Sequence, residues 1–97
     1  MVSTWKLIVH GRVQGVGFRY TVKRFANEHK LKGTVRNLPD GTVEIIILEE
    51  EQHLNMIRRF CVSSPGASEV ERVDVKEFDD EGQKERYNDI ESFEIAY

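Results

Sequence analysis

Gly15, Gly17 and Arg19 form the group whose types and spacing point most directly to chemistry. They sit in the stretch Gly11-Arg12-Val13-Gln14-Gly15-Val16-Gly17-Phe18-Arg19. An alternating, strand-like run ends there and a helix-like one begins. Glycines allow an unusual backbone path, and a helix start presents N–H groups with no intrahelical acceptor. The helix dipole favours negative charge at the same end. An arginine in the first turn adds a planar fork suited to phosphate oxygens. The expectation is an anion-binding, phosphate-cradling loop. The Walker lysine and the Ser/Thr after it are absent, which argues against a nucleotide P-loop.

The elements that must position this loop follow from periodicity. Trp5, Leu7, Val9, Gly11 and Val13 alternate, which predicts a strand. Phe18, Val22, Phe25 and Ala26 recur at helical spacing up to Lys30, and Gly33 marks the passage to a short strand from Thr34 to Leu38. Leu38-Pro39-Asp40-Gly41 is a turn, and β-branched Thr42–Leu48 makes the return strand of a hairpin. A second helix runs from Glu50 to Val62, with Leu54, Ile57, Phe60 and Cys61 on one stripe. Val70, Val73, Val75 and Phe78 predict a less regular strand, residues 79–89 an exposed acidic loop, and Phe93, Ile95 and Tyr97 a closing strand.

The order βαββαβ plus a short C-terminal strand predicts an α+β, ferredoxin-like split βαβ fold: an antiparallel sheet with two helices on one face. In that topology the first two strands run parallel with the third between them. Their C-terminal ends share one sheet edge, two strand spacings or on the order of 10 Å apart. Asn37, at the end of the second strand, is therefore expected to face the loop across a gap that admits a phosphate and a water.

Ninety-seven residues predict a single domain, 1–97, able to bury about two-thirds of its unfolded surface. Residues 1–37 carry eight Lys/Arg and one acid, and residues 38–97 carry six against sixteen. The loop lies in the basic third, where the field either draws small anions or is offset by acids of the other half. No apolar run reaches the ~20 residues of a membrane span, and the N-terminus lacks a signal-peptide core. Cys61 is the one cysteine, expected as a buried thiol, so the expected setting is cytoplasmic. His10, His29 and His53 lack metal-ligand spacing and are read as structural or solvated.

Two segments resemble the acylphosphatase family: Gly11–Arg19, quoted above, and Gly33-Thr34-Val35-Arg36-Asn37-Leu38-Pro39-Asp40-Gly41-Thr42-Val43-Glu44. The ending Ser92-Phe93-Glu94-Ile95 extends the similarity over nearly the whole chain. The resemblance implies hydrolysis of acyl phosphates to a carboxylate and inorganic phosphate, with no metal or cofactor. It implies Arg19 as the phosphate-binding arginine and Asn37 as the water-orienting asparagine. The backbone of Gln14, Gly15, Val16, Gly17, Phe18 and Arg19 would form the cradle. Thr34 departs from the family, which commonly has an aromatic residue there, and residues 63–87 match loosely.

Expected partners are a small acyl phosphate, inorganic phosphate or other small anions, with no nucleic acid and no membrane; a monomer is expected. One rival is a non-catalytic anion-binding module of the same fold. An RNA-binding ferredoxin-like domain is disfavoured, because Val43-Glu44-Ile45-Ile46-Ile47 offers no aromatic platform. A fragment of a larger carbamoyl-phosphate-processing protein is the third rival; an initial Met and a closing edge strand weigh towards a complete protein.

Overall fold

The computed structural model of the chain describes residues 2–77 and 89–96. Seven elements follow one another: β1 (Ser3–Arg12), α1 (Phe18–Glu28), β2 (Gly33–Asn37), β3 (Val43–Glu49), α2 (Glu51–Val62), β4 (Glu69–Glu77) and β5 (Phe93–Ile95). They form one five-stranded sheet in the order β4-β1-β3-β2-β5. β3 lies antiparallel to both β1 and β2, so β1 and β2 point the same way. This is the split βαβ arrangement expected from the element order. The pairs among the first four strands are all antiparallel, and β5 makes the sheet mixed by joining the outer edge of β2 in parallel. The expected strand positions Phe78 and Tyr97, and loop residues 79–88, lie outside the described residues.

Both helices cover one face. From α1 come Phe18, Val22 and Ala26, and from α2 Leu54, Ile57 and Cys61; all are buried against Leu7, Val9, Val35, Val43, Ile45 and Ile47. Phe25 and Phe60 stack where the helices meet, with centroids 3.9 Å apart. These are the apolar stripes read from the sequence. β3 is the central strand and is buried on both faces from Val43 to Leu48, which explains its near-continuous apolar run. Each fully buried Leu, Ile or Phe of this kind contributes about 1.5–3 kcal/mol of transfer free energy.

On the helix-free face Glu44 is buried and pairs with Arg36 at 2.9 Å, across the strand pair that aligns them. Here a base of the first third is offset by an acid of the other part. Thr34 lies on this same face, opposite Ile46, because alternation turns it away from Val35 and Asn37. Its departure from the family pattern therefore falls on the side of the sheet away from the loop.

The irregular spacing of Val70, Val73 and Val75 has a physical cause. Between His10 and Gly11 the β1–β4 register shifts, so Val70 pairs with Gly11 while Arg72 pairs with His10. Glu71 is the extra residue of a β-bulge, and the bulge returns both Val70 and Val73 to the core side. Gly11 is required there: a Cβ would meet the Glu69 carbonyl oxygen at 2.1 Å, on a backbone with φ of +129°.

Cys61 is fully buried, and burial pushes its thiol up to about 12. It is a small core hydrophobe, not a nucleophile at neutral pH. Among the described residues no helix is long and apolar enough to cross a membrane.

Candidate active site

The loop between β1 and α1 is built by alternating backbone hand. Gly15 and Gly17 both have φ of +75°, whereas Gln14 and Val16 do not enter the positive-φ region. Such alternation turns successive N–H groups to one side and forms a concavity that accepts anions. Neither glycine is crowded: a Cβ on either would meet no atom within 4 Å. Glycine is needed for conformation, since an L side chain in left-handed space costs ~1–2 kcal/mol, and the space above the loop stays open.

Gly17 is also the N-cap of α1. It has no side chain to cap with, and the first turn contains no acid. The positive end of the α1 dipole is therefore met by neither a side-chain cap nor an acid of its own first turn. α2 differs, with Glu51 in its first turn.

A cavity of about 150 Å³ opens over this loop. Gly15, Gly17, Phe18 and Arg19 line one side, and Asn37 lines the other. Val13, Tyr20 and Ile95 complete the wall. The loop and Asn37, 18 positions from Arg19 in sequence, thus meet at one sheet edge, as the topology required. Ile95 arrives because β5 runs parallel to β2, with Ala96 N–H donating to the Val35 carbonyl at 2.9 Å. The β5 chain is held by Asn27, whose amide exchanges two hydrogen bonds with the Phe93 backbone.

Asn37 ends β2 on the helix side of the sheet. Its Oδ1 is buried and accepts no hydrogen bond from the described residues. Buried acceptors of this kind are as a rule paired with protein, water or a ligand, so this one is open to a partner in the cavity. The turn after it is rigid. Gly41 N–H donates to the Leu38 carbonyl at 3.2 Å, and Asp40 Oδ1 accepts from Thr42 N–H at 3.0 Å and Thr42 Oγ1–H at 2.6 Å. Those Thr42 bonds hold the Asp40 carboxyl below its ordinary value.

Gln14 and Val16, whose backbone is expected in the cradle, direct their side chains elsewhere. Val16 packs against the core. Gln14 turns its side chain to the β2–β3 turn, where Nε2 donates to the carbonyls of Leu38 and Thr42, each at 2.8 Å. One amide thus couples the loop to the turn that carries Asn37. No local pattern announces this, because its partners lie 24 and 28 residues away. Gln14→Ala should leave the fold intact and lower kcat about tenfold, the effect of about 1.4 kcal/mol of lost positioning. Steady-state kinetics with circular dichroism checks it, and an unchanged kcat removes the coupling role.

Val13, Tyr20 and Ile95 were not singled out from the sequence as site residues. For Tyr20 the signal was adjacency to Arg19; for Ile95 there was none before the β2–β5 pairing. The histidines stand outside the cavity wall: His10 contacts Asp74 at 2.9 Å, His53 lies 3.3 Å from Glu49, and His29 packs on Phe25.

Comparisons with known proteins show which family the chain resembles over its length. The acylphosphatase family model matches residues 5–95. An acylphosphatase of Archaeoglobus fulgidus is 42% identical over 92 residues, 95% of this chain and 96% of the relative. One of Bacillus licheniformis is 42% identical over 93 residues, 96% of this chain and 97% of the relative. The crystal structure of acylphosphatase from Bacillus subtilis superposes with a TM-score of 0.83 at 35% identity, covering all of both chains.

Proposed function

The chain belongs to the acylphosphatase family and hydrolyses acyl phosphates, and from that premise we propose how its own residues do so. The supporting observation is the convergence of Arg19, two positive-φ glycines and Asn37 on one cavity of about 150 Å³.

Arg19 and the backbone N–H groups of residues 14–19 hold the phosphoryl oxygens. Those groups, with the N-terminus of α1, stabilise charge that builds on the oxygens as the acyl oxygen departs. Asn37 accepts a hydrogen bond from water and aims its lone pair at phosphorus. The bond from water oxygen to phosphorus forms as the bond from phosphorus to the acyl oxygen breaks. The electron pair leaves on the carboxylate, and the water proton passes to a phosphoryl oxygen. An amide cannot take that proton as a base. A carboxylate, of pKa ~4, departs without an acid to protonate it. No step in this scheme is routed through a metal, a cofactor or a covalent enzyme intermediate.

The substrate is a small molecule, and all the named groups lie on one chain. A monomeric, cytoplasmic enzyme exchanging small anions with solvent completes the proposal. The test is hydrolysis of acetyl and benzoyl phosphate in EDTA, with inorganic phosphate as inhibitor. Turnover should survive the chelator, and phosphate should compete with substrate. Loss of activity in EDTA overturns the metal-free scheme, and phosphate binding without turnover favours the anion-binding module.

A further inference from the structure

We propose that the acyl group of the substrate lies across Tyr20 along the exposed side of α1, where Lys23 meets a second anionic group on that acyl chain. The preferred substrates are then acyl phosphates of dicarboxylic or similarly anionic acids. This rests on the phosphoryl site described above and adds what lies beyond it.

The argument begins with size. Pockets that hold a whole small ligand span about 300–1,000 Å³. The cavity over the loop, at about 150 Å³, takes a phosphoryl group and a water but leaves little room for the rest. A second concavity of about 420 Å³ lies beside it, lined by Tyr20, Lys23, Arg24, Asn27 and Glu28. Tyr20 is common to both. A chain leaving the phosphoryl group towards α1 must pass over its ring.

Tyr20 is 71% exposed, the most exposed large hydrophobic side chain among the described residues. Its ring does not serve the core, and it offers a rigid apolar platform with a polar tip. Lys23 Nζ sits 5.9 Å from the ring centroid, so the ammonium is drawn towards the same platform. Arg24 is engaged with Glu28 at 3.8 Å, which leaves Lys23 as the groove's other cation. Arg19 and Lys23 are one helical turn apart on the same face, a rise of about 6 Å. That separation suits a substrate whose two negative groups bracket a short carbon chain.

The test compares kcat/KM for acetyl, butyryl and succinyl phosphate. Butyryl and succinyl share a four-carbon backbone and differ in the terminal carboxylate. In low salt the enzyme should favour succinyl over butyryl phosphate about three- to fivefold, the effect of one exposed ion pair. Lys23→Gln should bring that ratio to near one through KM, and added salt should do the same in wild type. Tyr20→Ala should lower butyryl and succinyl phosphate relative to acetyl phosphate about fivefold or more, with an unchanged circular dichroism spectrum. Ratios unaltered in Lys23→Gln or in Tyr20→Ala, while wild type turns over acetyl phosphate, overturn this inference alone. A wild type that leaves acetyl phosphate intact overturns the catalytic reading and this inference with it.

Discussion

Replacing Arg19 with alanine is expected to lower kcat/KM for benzoyl phosphate about 10³-fold or more, with no loss of fold. Hydrogen bonds from a charged donor are worth about 1.5–3 kcal/mol each, and a guanidinium can offer two to one phosphoryl group. Two such bonds amount to about 3–6 kcal/mol, or roughly 10²–10⁴ in rate. Charge accumulates on those oxygens as the acyl oxygen departs, so kcat should fall as well as KM rise. Arg19 sits in the first turn of α1, half-exposed, and α1 is anchored by Phe18, Val22 and Ala26 instead. Circular dichroism and the unfolding midpoint should therefore change little. Arg19→Lys should restore only part of the rate, since an ammonium supplies charge without the planar fork. A folded alanine variant within tenfold of wild type would remove Arg19 from the mechanism.

Asn37→Ala should divide function from stability. Losing one aligned polar group at a reacting centre typically costs ~10²–10³ in kcat. Water rather than the phosphoryl group is what Asn37 orients in the proposal, so KM and competitive inhibition by phosphate should stay near wild type. Stability should change little. Oδ1 accepts no hydrogen bond from the described residues, so removing it breaks none of theirs. Some packing against the cavity wall is lost at the same time, so the expected midpoint is close to that of wild type or slightly below it. The decisive pair of measurements is kcat and thermal unfolding on one preparation. A variant with wild-type kcat, or one that loses phosphate affinity in proportion to rate, contradicts the assignment.

The loop was the legible part of the site because its demands are local. A positive-φ glycine at 15 and at 17, a helix start just after and an arginine in the first turn all lie within five residues. The turn after Asn37 was legible for the same reason: Asp40 and Gly41 act within two or three positions, as the Thr42 and Leu38 hydrogen bonds bear out. Asn37 itself needed the strand order, which the alternation of elements supplied through the split βαβ rule. Gln14 shows where such reading stops. Its backbone was assigned to the cradle by its place in the motif, but the reach of its side chain to the Leu38 and Thr42 carbonyls was not foreseen. Tyr20 joins the site only through tertiary structure, as the residue that two cavities share.

What the sequence determined by itself was every feature set by neighbours along the chain: apolar periods, the left-handed glycine positions, the uncapped start of α1 and the Pro-Asp-Gly turn. The tertiary structure alone decided which distant atoms meet. It turned the β4 irregularity into a bulge at Gly11, set Glu44 against Arg36, and laid β5 parallel to β2 so that Ile95 walls the cavity. The reason is the range of the interactions. Backbone preference and amphipathic period act over a few residues, whereas strand register and edge pairing join positions tens of residues apart. Those become neighbours only when the sheet closes on its core.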